Sequence, residues 1–250
     1  MGDVFYFSGR VIPDHVPLTV AYSPKFKREP STENEPVSVM EVSISGGKLR
    51  VVVEIDLYTE QGALALFLSA LDGAQRLADT AGFIEAVPYK AIIDFIERPD
   101  GSRKLLALGD PHLRRLGSFS KENIEAIADL LIQDFALGQA MSDLVAILDQ
   151  PHYAPISYGR VAESIARLVA PSLSGSEMWA KTRRELNVSE AFLRRLTDIS
   201  TDPRHGKRTP VSGEENRKLS EMAWCLMDRY LHYRLLDAVV DEQKFPKLTV

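Results

Sequence analysis

Short apolar runs separated by polar, turn-forming tracts mark the first hundred residues as strands. Val4 to Phe7, Leu18 to Tyr22, Ser38 to Ile44 and Leu49 to Tyr58 carry the β-branched and aromatic side chains that suit a pleated, half-buried surface. Gly46-Gly47 between the last two runs predicts a tight hairpin. Lys25 to Pro36, with two prolines and alternating charge, reads as an exposed loop. After Thr59 the period lengthens: Ala63, Leu64, Phe67, Leu68, Leu71, Ala74 and Ala78 recur at helical spacing, which predicts one amphipathic helix lying on the sheet. A second hairpin follows, with Ala91 to Ile96 and Lys104 to Leu108 flanking the turn Pro99-Asp100-Gly101-Ser102.

From Ser118 the strong patterns are helical. Ser120 can cap a helix, with Phe119 and Ile124 as a hydrophobic staple and Ile127, Ala128, Leu131 and Phe135 as its buried stripe. That stripe continues to Leu148 as one long helix or as two broken near Gly138. Helices are expected at about 157 to 170 and 176 to 186, then from a Ser189 cap, and from Ser212-Gly213-Glu214-Glu215 along a face of Leu219, Met222, Ala223, Leu226, Tyr230 and Tyr233. The fold class that follows is α+β, with a β-rich unit carrying one helix over residues 1–117 and an all-α bundle over 118–250.

Composition narrows the function classes. The formal net charge is −5 across 250 residues, so any contact with nucleic acid has to be a local patch. One cysteine, Cys225, makes neither a disulfide framework nor a thiolate metal cage, and on an apolar helix it reads as a buried thiol. His15, His112, His152, His205 and His232 show no ligand spacing, so neither a metal nor another cofactor is expected. The chain has no run of about 20 apolar residues and opens without a leader pattern, from which a cytoplasmic protein with no membrane contact is expected.

One stretch breaks the acidic trend. Residues 181–208 hold eight basic and four acidic side chains. Arg194, Arg195, Lys207 and Arg208 are its candidate nucleic-acid contacts, and Trp179 to Leu186, Asn187-Val188 and Ser189 to Asp198 have the spacing of a helix-turn-helix. Arg194 and Arg195, however, stand at the far end of the second helix, whose start, Ser189-Glu190, is acidic.

A tryptophan-bearing helix, a second helix closing on Ser200-Thr201-Asp202, then Arg204-His205-Gly206 and a long aromatic final helix together resemble the HEPN-like helical domains of bacteria over roughly the last hundred residues. The resemblance implies a dimeric bundle. It also implies either a binding or accessory role toward RNA, DNA or a protein partner, or a metal-independent ribonuclease of a toxin or phage-defence system. In the nuclease case His205 would be the acid/base and Arg204 the phosphate clamp, because the reaction needs a group that titrates near neutrality and a planar cation. Here Arg204 adjoins His205, and the wider spacing of the family's nucleases recurs only at Arg10 and His15 in the strand region. That departure favours binding over catalysis. Without the resemblance, Arg204-His205-Gly206 is a turn in which the arginine caps helix carbonyls or pairs with Asp198.

Overall fold

The computed structural model describes residues 3–28, 37–56, 63–105, 111–148, 150, 153–207, 211, 213–236 and 243–250. Its contacts divide the chain into two compact units, Met1–Ala107 and Leu108–Val250.

The first unit is a six-stranded antiparallel sheet with one helix. The strands are β1 (Asp3–Ile12), β2 (Lys25–Arg28), β3 (Ser38–Ser45), β4 (Lys48–Ile55), β5 (Lys90–Glu97) and β6 (Arg103–Leu105), in the spatial order β2-β3-β4-β1-β5-β6. The β3–β4 hairpin turns on Gly46 and Gly47, whose φ values of 55° and 74° are open to glycine at little cost. Alternation decides which face is buried. Phe5 and Phe7, Met40, Val42 and Ile44, and Leu49, Val51 and Val53 point to one side, where α1 (Ala63–Glu85) packs its buried Leu66, Ala70, Ala74 and Ala78 against them.

Two strand-region expectations change. Lys25–Arg28 is an edge strand rather than loop, because Phe26 packs on the core from it; the remainder of that tract, 29–36, lies outside the described residues. Leu18 to Tyr22 forms no strand. Held between Pro17 and Pro24, it straps the hairpin turn: Gly47 N donates to Leu18 O at 2.8 Å, and Gly46 N to Thr19 Oγ1 at 2.8 Å.

The second unit holds α2 (Pro111–Leu116), α3 (Ile124–Gln133), α4 (Phe135–Ala146), α5 (Ala154–Val169), α6 (Gly175–Glu185), α7 (Glu190–Arg204) and α8 (Gly213–Leu235). The division falls after Ala107 rather than after residue 117, and the unforeseen α2 packs on α8. The core runs through α4, α5, α7 and α8, with Tyr158, Ile165, Leu196, Leu226 and Tyr230 fully buried. Buried polar atoms are paired there: Tyr158 Oη donates to Asn216 Oδ1 at 2.7 Å and meets Ser220 Oγ at 2.8 Å.

The α3–α4 region departs most from the sequence reading. A 3-10 turn at Lys121–Asn123 rotates the phase of α3, and Ile124 stands 62% exposed instead of stapling to Phe119. The chain then breaks at Asp134, four residues before Gly138. Asp134 is extended (φ −117°, ψ 93°) and its side chain accepts from Leu137 N at 3.1 Å to start α4. Phe135, expected on the buried stripe, is 77% exposed as a result. Arg234 donates to Asp134 at 2.9 Å; although partial burial opposes it, this bond and the cap hold the carboxyl below its ordinary pKa.

Candidate functional site

The helix pair α6 and α7 meets in a left-handed turn, with Asn187 at φ 49°, and Ser189 Oγ then accepts from Phe192 N at 3.2 Å to cap α7. Cells of charge and one tryptophan collect above this pair. A cavity of about 500 Å³ lies between α5, α6 and α7. Trp179 and Leu193 supply its apolar wall, and Ser176, Thr197 and Thr201 its hydroxyls. Arg183, Arg194 and Arg204 line it together with Glu163, Glu190 and Asp198, three cations against three carboxylates.

The three arginines are engaged by two of these carboxylates, Glu163 and Glu190. One guanidinium nitrogen of Arg204 donates to both oxygens of Glu163, at 2.7 and 2.8 Å, and its Nε reaches Ser200 O at 3.3 Å, a carbonyl of the last turns of α7. Arg194 pairs with Glu190 one turn earlier at 2.8 Å, and Arg183 lies 3.9 Å from the same carboxylate. A phosphate entering here would have to displace a carboxylate from each arginine it met.

Each sequence-predicted site residue can be placed. Arg204 and Arg194 both line the cavity, whereas Arg195 turns away and pairs with Glu215 of α8. Lys207 lies 3.4 Å from Asp202. His205 caps α7 through its backbone, its N donating to Asp202 O at 3.0 Å, and its side chain is exposed and absent from the cavity wall. Arg208 lies outside the described residues. Pro203, expected to open a turn, sits inside the final turn of α7, and the arginine's partner is Glu163 on α5 rather than Asp198.

The start of α7 is engaged by another part of the chain. Val188 bridges Leu248; Ser189 N donates to Leu248 O at 2.9 Å, and Leu248 N to Asn187 O at 3.0 Å. Arg229 of α8 is 5% exposed and faces carbonyls rather than a carboxylate: it donates to Leu186 O at 2.9 Å, Pro246 O at 3.0 Å and Phe245 O at 3.4 Å. Burial draws its pKa down from the ordinary arginine value. Residues 243–250 are thereby tied across the α6–α7 turn, at the end of α7 that a helix-turn-helix would offer to bases.

A Ser-His-Asp cluster was not foreseen. Ser118 Oγ lies 2.9 and 3.0 Å from the two Asp228 oxygens and hydrogen-bonds His232 Nε2, while the His232 ring stacks on Phe119 at 4.4 Å and tilts against Phe245 at 4.7 Å. In a catalytic triad the carboxylate holds the ring nitrogen opposite the serine. Here it bonds the serine itself and stands 3.9 Å from the same Nε2, so the cluster clasps two chain segments to α8. Cys225 is partly buried, and burial pushes its thiol pKa up, away from nucleophilic use. No three metal-ligating side chains come together among the described residues, and no described helix is long and apolar enough to cross a membrane.

Residues 5–106 match the family model described as the N-terminal domain of a domain of unknown function, DUF8168, and residues 124–235 match the C-terminal domain of the same family. No curated protein and no solved structure matches the chain.

Proposed function

We propose that this chain, which belongs to the DUF8168 family through both of its domains, is a binding module whose helical unit holds a segment of a protein partner in the α5–α6–α7 cavity. The observation that carries the reading is the balance of charge around Trp179: three arginines and three carboxylates line one cavity, with Glu163 on Arg204 and Glu190 between Arg194 and Arg183. A polyanion gains little from cations neutralised in place, whereas a peptide with both signs of charge can exchange partner for partner and lay an apolar side chain on the indole. The cavity is also of a size that takes a few side chains rather than a whole domain.

The test uses the full chain and a displayed library of random peptides. Selection should enrich sequences that set acidic and basic residues about an apolar one, and Trp179→Ala should weaken the selected peptides by roughly tenfold or more, as loss of an aromatic anchor does. Arg195→Ala, outside the cavity, should leave their binding unchanged. No enrichment, or binding indifferent to Trp179, defeats the proposal.

A homodimer through the same unit is a second reading, favoured by one observation. Ile132 and Phe135 are 81% and 77% exposed, and no exposed residue from Leu130 to Ser142 carries a charge.

A further inference from the structure

The cavity arginines Arg183, Arg194 and Arg204 are engaged by carboxylates, but two arginines on the sheet are not. α1 covers one face of the sheet; the other displays the alternate residues of each strand. Register fixes their neighbours. Ser8 of β1 lies directly opposite Arg50 of β4 on one side and Phe95 of β5 on the other. Tyr6, two residues along β1, therefore stands diagonal to both, at the cross-strand distance where large side chains share one surface.

Each ring carries a guanidinium. Arg50 lies over Tyr6, 5.0 Å from its centroid, and Arg103 lies over Phe95 at 4.2 Å. Both arginines are exposed, both rings are half-buried, and among the described residues neither arginine is paired with a carboxylate. One row beyond Arg50, Arg10 and Lys48 oppose each other on β1 and β4, the former also bonded to Asp94 at 2.7 and 2.8 Å. Carboxylates share this face: Glu97 of β5 lies directly opposite Tyr6 on one side and Arg103 on the other, Glu41 of β3 lies opposite Val52 in the same row, and Glu54 of β4 is approached by Lys25 at 3.9 Å.

The geometry points to the open face of this sheet as a platform for single-stranded nucleic acid. Tyr6 and Phe95 are stacking positions for two neighbouring bases, and Arg50, Arg103 and Lys48 are cations for the phosphates between and beyond them. Aromatic rings displayed on a sheet face take unpaired bases of any identity, because every base has a π face. A guanidinium already poised over a ring can cover the outer face of a base that slides beneath it, or turn to a phosphate, without first breaking an ion pair. Duplexes keep their bases stacked on one another, so the platform discriminates against them. Ser8 and Ser43, in the same row as Arg50, offer hydroxyls to base edges or to a ribose 2′-hydroxyl.

The experiment is fluorescence anisotropy of the full-length protein with a labelled oligouridylate and a labelled oligothymidylate of about a dozen nucleotides each, alongside a duplex of the same length. Either single strand should bind at low salt and the duplex should bind at least tenfold more weakly; a preference between the two single strands reports the 2′-hydroxyl. Tyr6→Leu with Phe95→Leu keeps apolar volume while removing the stacking faces and should weaken binding about tenfold or more. Arg50→Gln with Arg103→Gln alters only exposed side chains and should lower the slope of log affinity against log salt by about two. No binding by the wild-type protein, equal binding of the duplex, or affinities unmoved in both double variants overturns the proposal.

Discussion

Gly159 shows how far a single side chain controls the helical unit. It lies on α5 where that helix crosses α7, and a Cβ built there would stand 2.0 Å from Ser200 Oγ and 2.4 Å from Ser200 Cβ. Ser200 is fully buried and its hydroxyl already donates to Thr197 O at 2.7 Å, so it has nowhere to retreat. Two effects oppose each other in Gly159→Ala. The helix gains roughly 0.5–1 kcal/mol from the lost freedom of the unfolded chain, and overpacking costs about 1–3 kcal/mol. At a separation this short the second wins. A urea melt should show a net loss of about 1–2 kcal/mol, and Gly159→Ala combined with Ser200→Gly should recover part of it. A single variant as stable as the parent would mean that α5 and α7 stand farther apart.

At the scale of elements, α8 acts as a spine to which chain segments distant in sequence are tied, and Arg229 is its most consequential residue. Replacing it with methionine keeps much of the side chain's bulk but strips donors from the carbonyls of Leu186, Phe245 and Pro246. The expected cost is about 2–3 kcal/mol, since buried acceptors would lose their partners. Hydrogen exchange should show the Leu248 amide, bonded to Asn187 O, losing protection before the core of α5 does. Unchanged protection at Leu248 would show that its own bridge suffices.

The same scale explains what the sequence could disclose. Hairpin glycines, the Ser189 cap and the stripe of α8 are local signals, and each fell where its pattern placed it. The strap at Leu18 to Tyr22 has a strand's composition, but it meets the end of β3 and the hairpin turn through isolated bonds, Val20 N to Ile44 O among them, and forms no ladder. The break at Asp134 depends on Arg234, a hundred residues away. The pairing of the basic segment was hidden for a like reason: Arg194 with Glu190 is an i,i+4 pair open to inspection, but Glu163 and Glu215 reach Arg204 and Arg195 from other helices. Counting charge along the chain cannot register partners that only folding supplies. The Arg50–Tyr6 and Arg103–Phe95 pairs were hidden behind strand register in the same way.

At the scale of the whole molecule, two hydrophobic cores serve two units, one drawn from residues between Phe5 and Ile96 and one from residues between Leu137 and Leu231. The proposed self-association belongs here. Because the chain carries a net charge of −5, two copies repel unless they meet on a neutral surface, and the exposed residues from Leu130 to Ser142, Ile132 and Phe135 among them, carry no charge. Sedimentation velocity should find a dimer that Ile132→Asp with Phe135→Asp converts to monomer by placing like charges at its centre. A wild-type monomer at every concentration removes that reading. The borders of the sheet work in the opposite direction. Its two outermost strands, β2 and β6, carry Lys25 and Lys27 on one margin and Arg103 and Lys104 on the other. Another molecule's strand arriving to extend the ladder would meet cationic side chains at either rim, so fibril-like growth is discouraged at both ends of the sheet.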